Sequence, residues 1–537
     1  MNRNLPLVAA IALAVVMAVT ATAAPPTLFE STAALAPANP IDEHVAAGLE
    51  KAGIQPARLC SDAAFLRRAY LDVIGTLPTA EEARAFLDRS DPDKRARLID
   101  RLLERGEFAD YWALKWCDVL RVKAEFPINL WPNAAQAYHR WIRASVRDNK
   151  PYDRFVREML TASGSNFRTP PANFYRAMQS QEPEALAKAV ALTFMGTRAD
   201  AWPTGRLEGM AAFFARVGFK STGEWKEEIV LFDPGYAAGE DKNAGDGRKA
   251  AAPLKPVFPD GRAARIDAGT DPRVVFADWL IDAKNPWFAR AIVNRVWAWL
   301  MGRGIVHEPD DIRPDNPPSN PALLAWLEKD FVASGYDMKH LVRTILTSTT
   351  YQLSCVPQTD DPRGEALFAS YPVRRLEAEV LIDALCQITG TTEAYSSLIP
   401  EPYTYVPETR RAIALPDGSI TSSFLEMFGR PPRDTGMAAE RNNDPAAAQQ
   451  LHLLNSSHVR QKIERGPRLR FLRRAALRNP RKAAGDLYLM TLSRRPTLDE
   501  LKAVKAHTDA NRGKKGANPL GDLVWALVNS PEFLYRH

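Results

Sequence analysis

Cysteine is scarce in this chain: four in 537 residues, at Cys60, Cys117, Cys355 and Cys386. The closest pair, Cys355 and Cys386, is 31 residues apart, so no two have the spacing of a metal clip. No Cys-x-x-Cys-His occurs to attach a haem. One or two disulfides remain open, with no pairing assigned. Large charge excess is also missing: 70 Lys and Arg against 64 Asp and Glu leave +6. That balance, with no nucleic-acid motif, argues against a nucleic-acid partner. There is no Walker A motif, no Gly-x-Gly-x-x-Gly and no Gly-x-Ser-x-Gly, which removes the usual signatures of phosphate-loop, dinucleotide-binding and serine-elbow chemistry. Long apolar runs are absent after residue 19, so no membrane span is expected in the mature chain.

The one apolar run that is present lies at the start. Arg3 precedes Leu5 to Val19, and Ala21-Thr22-Ala23 has the small-x-small pattern of a signal-peptide cleavage site. At about 15 residues the run is short for a span of roughly 20. Residues 1–23 therefore read as a signal peptide cleaved near Ala23, and the mature protein as exported, periplasmic or cell-surface. Loss of Arg3 takes the net charge from +6 to +5. The densest basic run, Arg460 to Arg481, reads as a solvated helix face or as a contact for anionic polysaccharide or lipid headgroups.

Apolar periodicity makes the fold mainly α, a multi-helical two-part protein with a small β-rich insertion near residues 218–266. A Pro- and Ala-rich flexible leader is expected over 24–40, an N-terminal helical domain over 41–217, the insertion or linker over 218–271, and a C-terminal helical domain over 272–537. Asp62 is read as a helix cap ended by Gly75, and Thr79 with Glu82 as a capping box. Single helices are expected over Arg374–Thr389 and Ala446–Lys462. Residues 238–252 read as a mobile loop. Most of the tryptophans, Trp112, Trp116, Trp131 and Trp141 among them, read as core.

Phe65-Leu66-Arg67-Arg68-Ala69-Tyr70-Leu71-Asp72, with Leu77-Pro78-Thr79 and Asp93-Lys94-Arg95, resembles the N-terminal domain of unknown function that accompanies planctomycete cytochrome c domains (PSCyt-like). Asn294-Arg295-Val296-Trp297, Gly302-Arg303-Gly304, Pro309-Asp310-Asp311, Arg374-Arg375-Leu376-Glu377-Ala378-Glu379 and Asn529-Ser530-Pro531-Glu532-Phe533-Leu534 resemble its C-terminal companion (PSD-like). The resemblance implies export, a mostly helical fold and a cytochrome-associated family of unknown role. The chain departs from it at two places. Where many members carry a Cys-x-x-Cys-His-like segment after Phe-(Leu/Met)-Gly, this chain has Phe194-Met195-Gly196 followed by Thr197, Arg198, Asp200 and Trp202. Where some carry Cys-x-Cys before Glu-Arg, it has Gly436, Met437, Ala438 and Ala439. Both departures remove thiolates. Haem is not expected, nor any other cofactor, and Trp202 is read as filling the space of a lost site.

A cation site built from oxygen donors remains as a reading of His307, Asp310, Asp311 and Asp315, which would suit Ca²⁺ or Mg²⁺. Its alternative is a loop cap paired with Arg303 or Arg313. Arg374, Arg375, Arg433 and Arg441 are candidate binding residues, with a structural ion-pair network as the default for the first two. His452 and His458, six apart, are expected on different faces of one helix. Three function classes follow: a non-haem binding or structural protein facing cell-surface polysaccharide or another exported protein; an enzyme on polysaccharide, cation-assisted through the 307–315 loop; and an electron-transfer accessory.

Overall fold

The computed structural model describes residues 27–234, 255–267 and 269–537. The signal-peptide reading and the 238–252 loop lie outside the described residues. Helix accounts for 53% and strand for 5%, as the apolar spacing predicts. Core side chains from Ile41 to Phe533 form one contiguous apolar cluster, so the two sequence parts pack on a common interior.

Local chemistry sets most element ends. Thr79 and Glu82 make the expected capping box at the helix Ala80–Leu87. Gly75 and Gly302 end their helices in the left-handed region. At the helix Asp62–Ile74 the cap is Ser61, whose hydroxyl accepts from the Ala64 amide. Asp62 is freed to pair with Lys94 (2.6 Å) and Arg95 (2.9 Å).

Three other elements differ from expectation. Arg374–Arg375 is extended and pairs antiparallel with Tyr535–Arg536, so the helix begins only at Ala378. The stretch 446–462 is two helices, Ala447–Asn455 and Ser457–Arg465, because Ser456 leaves helical geometry and caps the second. The β region is a three-stranded antiparallel sheet: Val217–Ser221 and Glu228–Phe232 are joined by Gly164–Ser165, from outside the expected insertion. Residues 27–39, read as a leader, lie against the body: the Ser31 amide donates to the Leu59 carbonyl (2.8 Å), and the Phe29 ring packs 4.6 Å from that of His537. Among the described residues no helix is long and apolar enough to cross a membrane.

Candidate functional site

The two segments that lack cysteines meet in space, on opposite sides of the loop that carries Asp310. The helix Pro183–Met195 ends at Gly196, where φ is 61°. The Gly196 carbonyl accepts from the Ile312 amide (2.8 Å), and the Thr197 hydroxyl donates to the Ile312 carbonyl (3.0 Å). A β-carbon at Gly196 would lie 3.1 Å from the Pro309 carbonyl oxygen, so the close approach of these strands of chain needs glycine. From the other side the Ala438 amide donates to Asp310 Oδ2 (2.6 Å). Asp310 Oδ1 accepts from Arg295 (2.9 Å), whose guanidinium also donates to the carbonyls of Thr193 (2.7 Å) and Leu192 (3.1 Å). Gly436, at φ 77°, packs on the Val119 carbonyl and the Arg121 side chain.

The donors gathered here are amides, one hydroxyl and an arginine-paired carboxylate. They do not fit a haem or a soft metal, which need thiolate or imidazole. The cation candidates do not gather either. Asp310 is buried on Arg295, while Asp311 (3.1 Å) and Asp315 (3.0 Å) flank the exposed Arg313. His307 offers its carbonyl to Asn316 (3.0 Å). Among the described residues no group of three or more His, Cys, Asp and Glu is placed to hold a metal ion. Arg198 pairs with Glu308 (2.8 Å) and Asp200 with Lys188 (2.7 Å). Met437 donates its amide to the Thr435 hydroxyl (3.2 Å), and Ala439 sits in a single tight turn. Trp202 is half-buried under the Arg206 guanidinium, 4.0 Å from its ring centre. All four cysteines are free, with Cys60 and Cys117 buried.

The four candidate arginines belong to a buried ionic interior. Arg433 binds Asp118 (2.8 Å), and Arg441 bridges Asp118 (2.7 Å) and Glu379 (2.7 Å). Arg374 reaches Asp72 (3.3 Å) and the Tyr371 hydroxyl (2.6 Å), and Arg375 donates to Gln449. Glu377 accepts from Tyr111 (2.7 Å) and Lys115 (3.1 Å). Burial alone would raise the Glu377 carboxyl, but Lys115, Arg536 and Arg441 hold it well below the ordinary carboxylate range. These side chains tie separate helices and loops together.

The break at Ser456 corrects the histidine reading. It folds His458 back so that its Nδ1 lies 3.4 Å from His452 Nε2, while His458 Nε2 meets Glu393 at 2.8 Å.

The surface feature that sequence reasoning missed is aromatic. Trp131 stands just before the helix Pro132–Arg147 at φ 73°, a left-handed backbone that a large side chain rarely adopts. Its ring lies 5.2 Å from Tyr403 and 6.4 Å from Trp225, and the Lys226 ammonium sits 5.5 Å and 5.4 Å from the two indoles. Trp225 is 68% exposed and Tyr403 47%. Phe126 is 85% exposed and Leu398 88%, and Glu125, next to Phe126, accepts from the Leu398 amide (2.9 Å). Beside the aromatics runs a cleft of about 440 Å³ lined by Asn129, Arg176, Thr222, Glu224 and Glu228. Trp131 is thus half-buried at a rim, not core. The available signal was position: Trp225 sits in a Gly-Glu-Trp-Lys turn and Trp131 ahead of a proline, neither at helical spacing.

The fold and these contacts define a class: a mainly helical protein of two sequence parts on one core, with segments 197–202 and 436–439 hydrogen-bonded to the loop that carries Asp310. Residues 40–202 match the family described as PSCyt2, a protein of unknown function (DUF1549), and residues 272–508 match PSD1, a protein of unknown function (DUF1553). The chain belongs to this two-domain family. No curated protein and no solved structure matches it.

Proposed function

We propose that this is an exported, non-haem binding protein that recognises polysaccharide on the platform of Trp131, Trp225 and Tyr403. Export rests on the signal-peptide pattern of residues 1–23. The non-haem half rests on the donor chemistry where the two cysteine-lacking segments meet. The ligand class rests on the platform itself. Covering an exposed side chain of this size is worth about 1.5–3 kcal/mol. A chain that leaves several adjacent ones open, one on a left-handed backbone, forgoes that stabilisation until something covers them. A pyranose ring has C–H faces that pack on indole and phenol rings, and hydroxyls that meet the polar rim of Arg176, Glu224 and Glu228. Lys226, held between the two indoles, keeps the rings in place.

Affinity electrophoresis of the mature protein, expected to begin at Ala24, through neutral and acidic polysaccharides tests this. At least one should retard the wild type. Trp225→Ala should weaken that retardation roughly tenfold or more, with an unchanged melting temperature because Trp225 is largely exposed. Equal retardation of wild type and Trp225→Ala would remove the platform as the binding site.

A further inference from the structure

The densest basic run of the sequence contains the helix Pro467–Arg478, followed after Asn479 by the helix Pro480–Leu492. Leu469 and Leu472, three apart, turn inward at 2% and 9% exposure, and Ala476 packs on the core beside them. The helical turn then puts the opposite side in solvent. Arg470, Arg474 and Arg478, at i, i+4 and i+8, form one exposed row along that side. Phe471 and Leu477, each three residues from Arg474, flank the row at 75% and 87% exposure.

No carboxylate relieves the row. Between Glu464 and Asp486 the sequence has eight Arg and Lys and no Asp or Glu. The two carboxylates that bound this stretch are already engaged, Glu464 with Arg460 (2.8 Å) and Asp486 with Lys482 (2.9 Å). Arg468 and Arg473 donate to the backbone carbonyls of Gln387 and Glu464. Among the described residues the guanidiniums of Arg470, Arg474 and Arg478 have no ion pair and no hydrogen-bond partner. Like charges four residues apart destabilise a helix, and large apolar side chains left in water forgo the gain of burial. A merely solvated face accounts for the arginines and leaves Phe471 and Leu477 unexplained. An anionic polysaccharide would meet the arginines but has no hydrocarbon for the two apolar side chains to enter. A lipid layer supplies both, with phosphates at the level of the guanidiniums and acyl carbons just beneath.

We propose that this helix docks the protein on a membrane surface rich in anionic phospholipid, with Arg470, Arg474 and Arg478 on lipid phosphates and Phe471 and Leu477 among the acyl chains. Its 12 residues are too few to cross a bilayer, which takes roughly 20, so the helix lies in the interface. The aromatic platform plays no part in it, so the inference goes beyond the polysaccharide reading and is decided separately.

Sedimentation of the mature protein with sucrose-loaded vesicles tests this, using phosphatidylcholine alone and phosphatidylcholine mixed equally with phosphatidylglycerol. The protein should pellet with the mixed vesicles, stay in solution with the neutral ones, and be released as salt rises. Arg470→Gln, Arg474→Gln and Arg478→Gln combined should weaken binding roughly a hundredfold at low salt. Phe471→Ala with Leu477→Ala, which keeps every charge, should weaken it roughly tenfold or more. Both sets should melt as wild type does, since the altered side chains are exposed. Trp225→Ala should keep full vesicle binding, which separates this test from the platform's. No binding to the mixed vesicles, or equal binding to both kinds, would overturn the proposal. Loss with the arginine set but not with the apolar set would also overturn it: the face would then take any polyanion. Loss with Trp225→Ala alone would move the lipid contact to the platform and remove it from this helix.

Discussion

The two carboxylate oxygens of Asp310 serve different neighbours, one the Arg295 guanidinium and the other the Ala438 amide. Removing the carboxylate leaves a buried cation without its partner, which typically costs 3–5 kcal/mol, about the worth of several surface pairs. Asp310→Ala should therefore lower unfolding free energy in urea by about 3–5 kcal/mol. Asp311→Ala and Asp315→Ala, whose pairs with Arg313 are solvated, should stay within about 1 kcal/mol. Equal small losses at all three would mean that the Arg295 pair does not hold the loop. Asp383 gives the residue scale a pH signature. Burial raises its carboxyl to about 6, against Arg411 and the two amides. The unfolded value is about 3.9, so between about 4 and 6 the folded state binds the extra proton. Stability contributed by this group then rises as pH falls through 6 and levels off below 4, by up to about 3 kcal/mol. Comparing wild type with Asp383→Asn isolates it from other carboxyls: wild type should gain on the variant from pH 7 to pH 5. A constant difference would mean that Asp383 titrates normally.

At the scale of elements, what was legible was what neighbouring residues decide. The capping box at Thr79 and Glu82 and the glycine stop at Gly75 depend on chain within a turn or two, and the spacing displays them. Arg374–Arg375 was not legible, because the strand it pairs with lies some 160 residues further on. Nor was the break at Ser456, since 446–462 carries enough helical residues to read as one rod and only the capped second helix brings His452, His458 and Glu393 into line. The site shows the same division. The sequence named three segments, 197–202, 307–315 and 436–439, without showing whether they lie together in space. Their convergence on Asp310 is a product of packing, made by a glycine that lets Gly196 approach Pro309 and by an amide aimed from Ala438. The aromatic platform was hidden for a further reason: composition counts tryptophans without telling a ring in a turn from one in a helix.

For the whole molecule the key residue is Arg536, fully buried and far in sequence from everything it touches. It donates to Asp72 (2.9 Å) and to the Tyr111 hydroxyl (2.9 Å), with Glu377 at 3.5 Å. Asp72 also accepts from Tyr351 and Tyr371, each at 2.8 Å. Beside it Arg68 donates to the His537 carbonyl (3.2 Å), and the His537 ring packs on Phe29. Residues 535–537 thus tie the helices Asp62–Ile74 and Gly106–Val119 to the strand Arg374–Arg375 and to the chain near residue 29. One core with such a tie should unfold as one unit, without the halves melting apart. Arg536→Met keeps the bulk and removes the charge, stranding Asp72 among groups that cannot neutralise it fully. It should cost about 3–5 kcal/mol and leave a single transition at a lower denaturant midpoint. Adding Asp72→Asn should return part of the loss, because the buried anion is removed with its partner and the two tyrosine hydroxyls keep an acceptor. Two separate transitions in wild type would contradict the single core. Simple additivity of Arg536→Met and Asp72→Asn would show that the two side chains are not coupled, and the tie would then lie in the strand pairing of Tyr535–Arg536 alone.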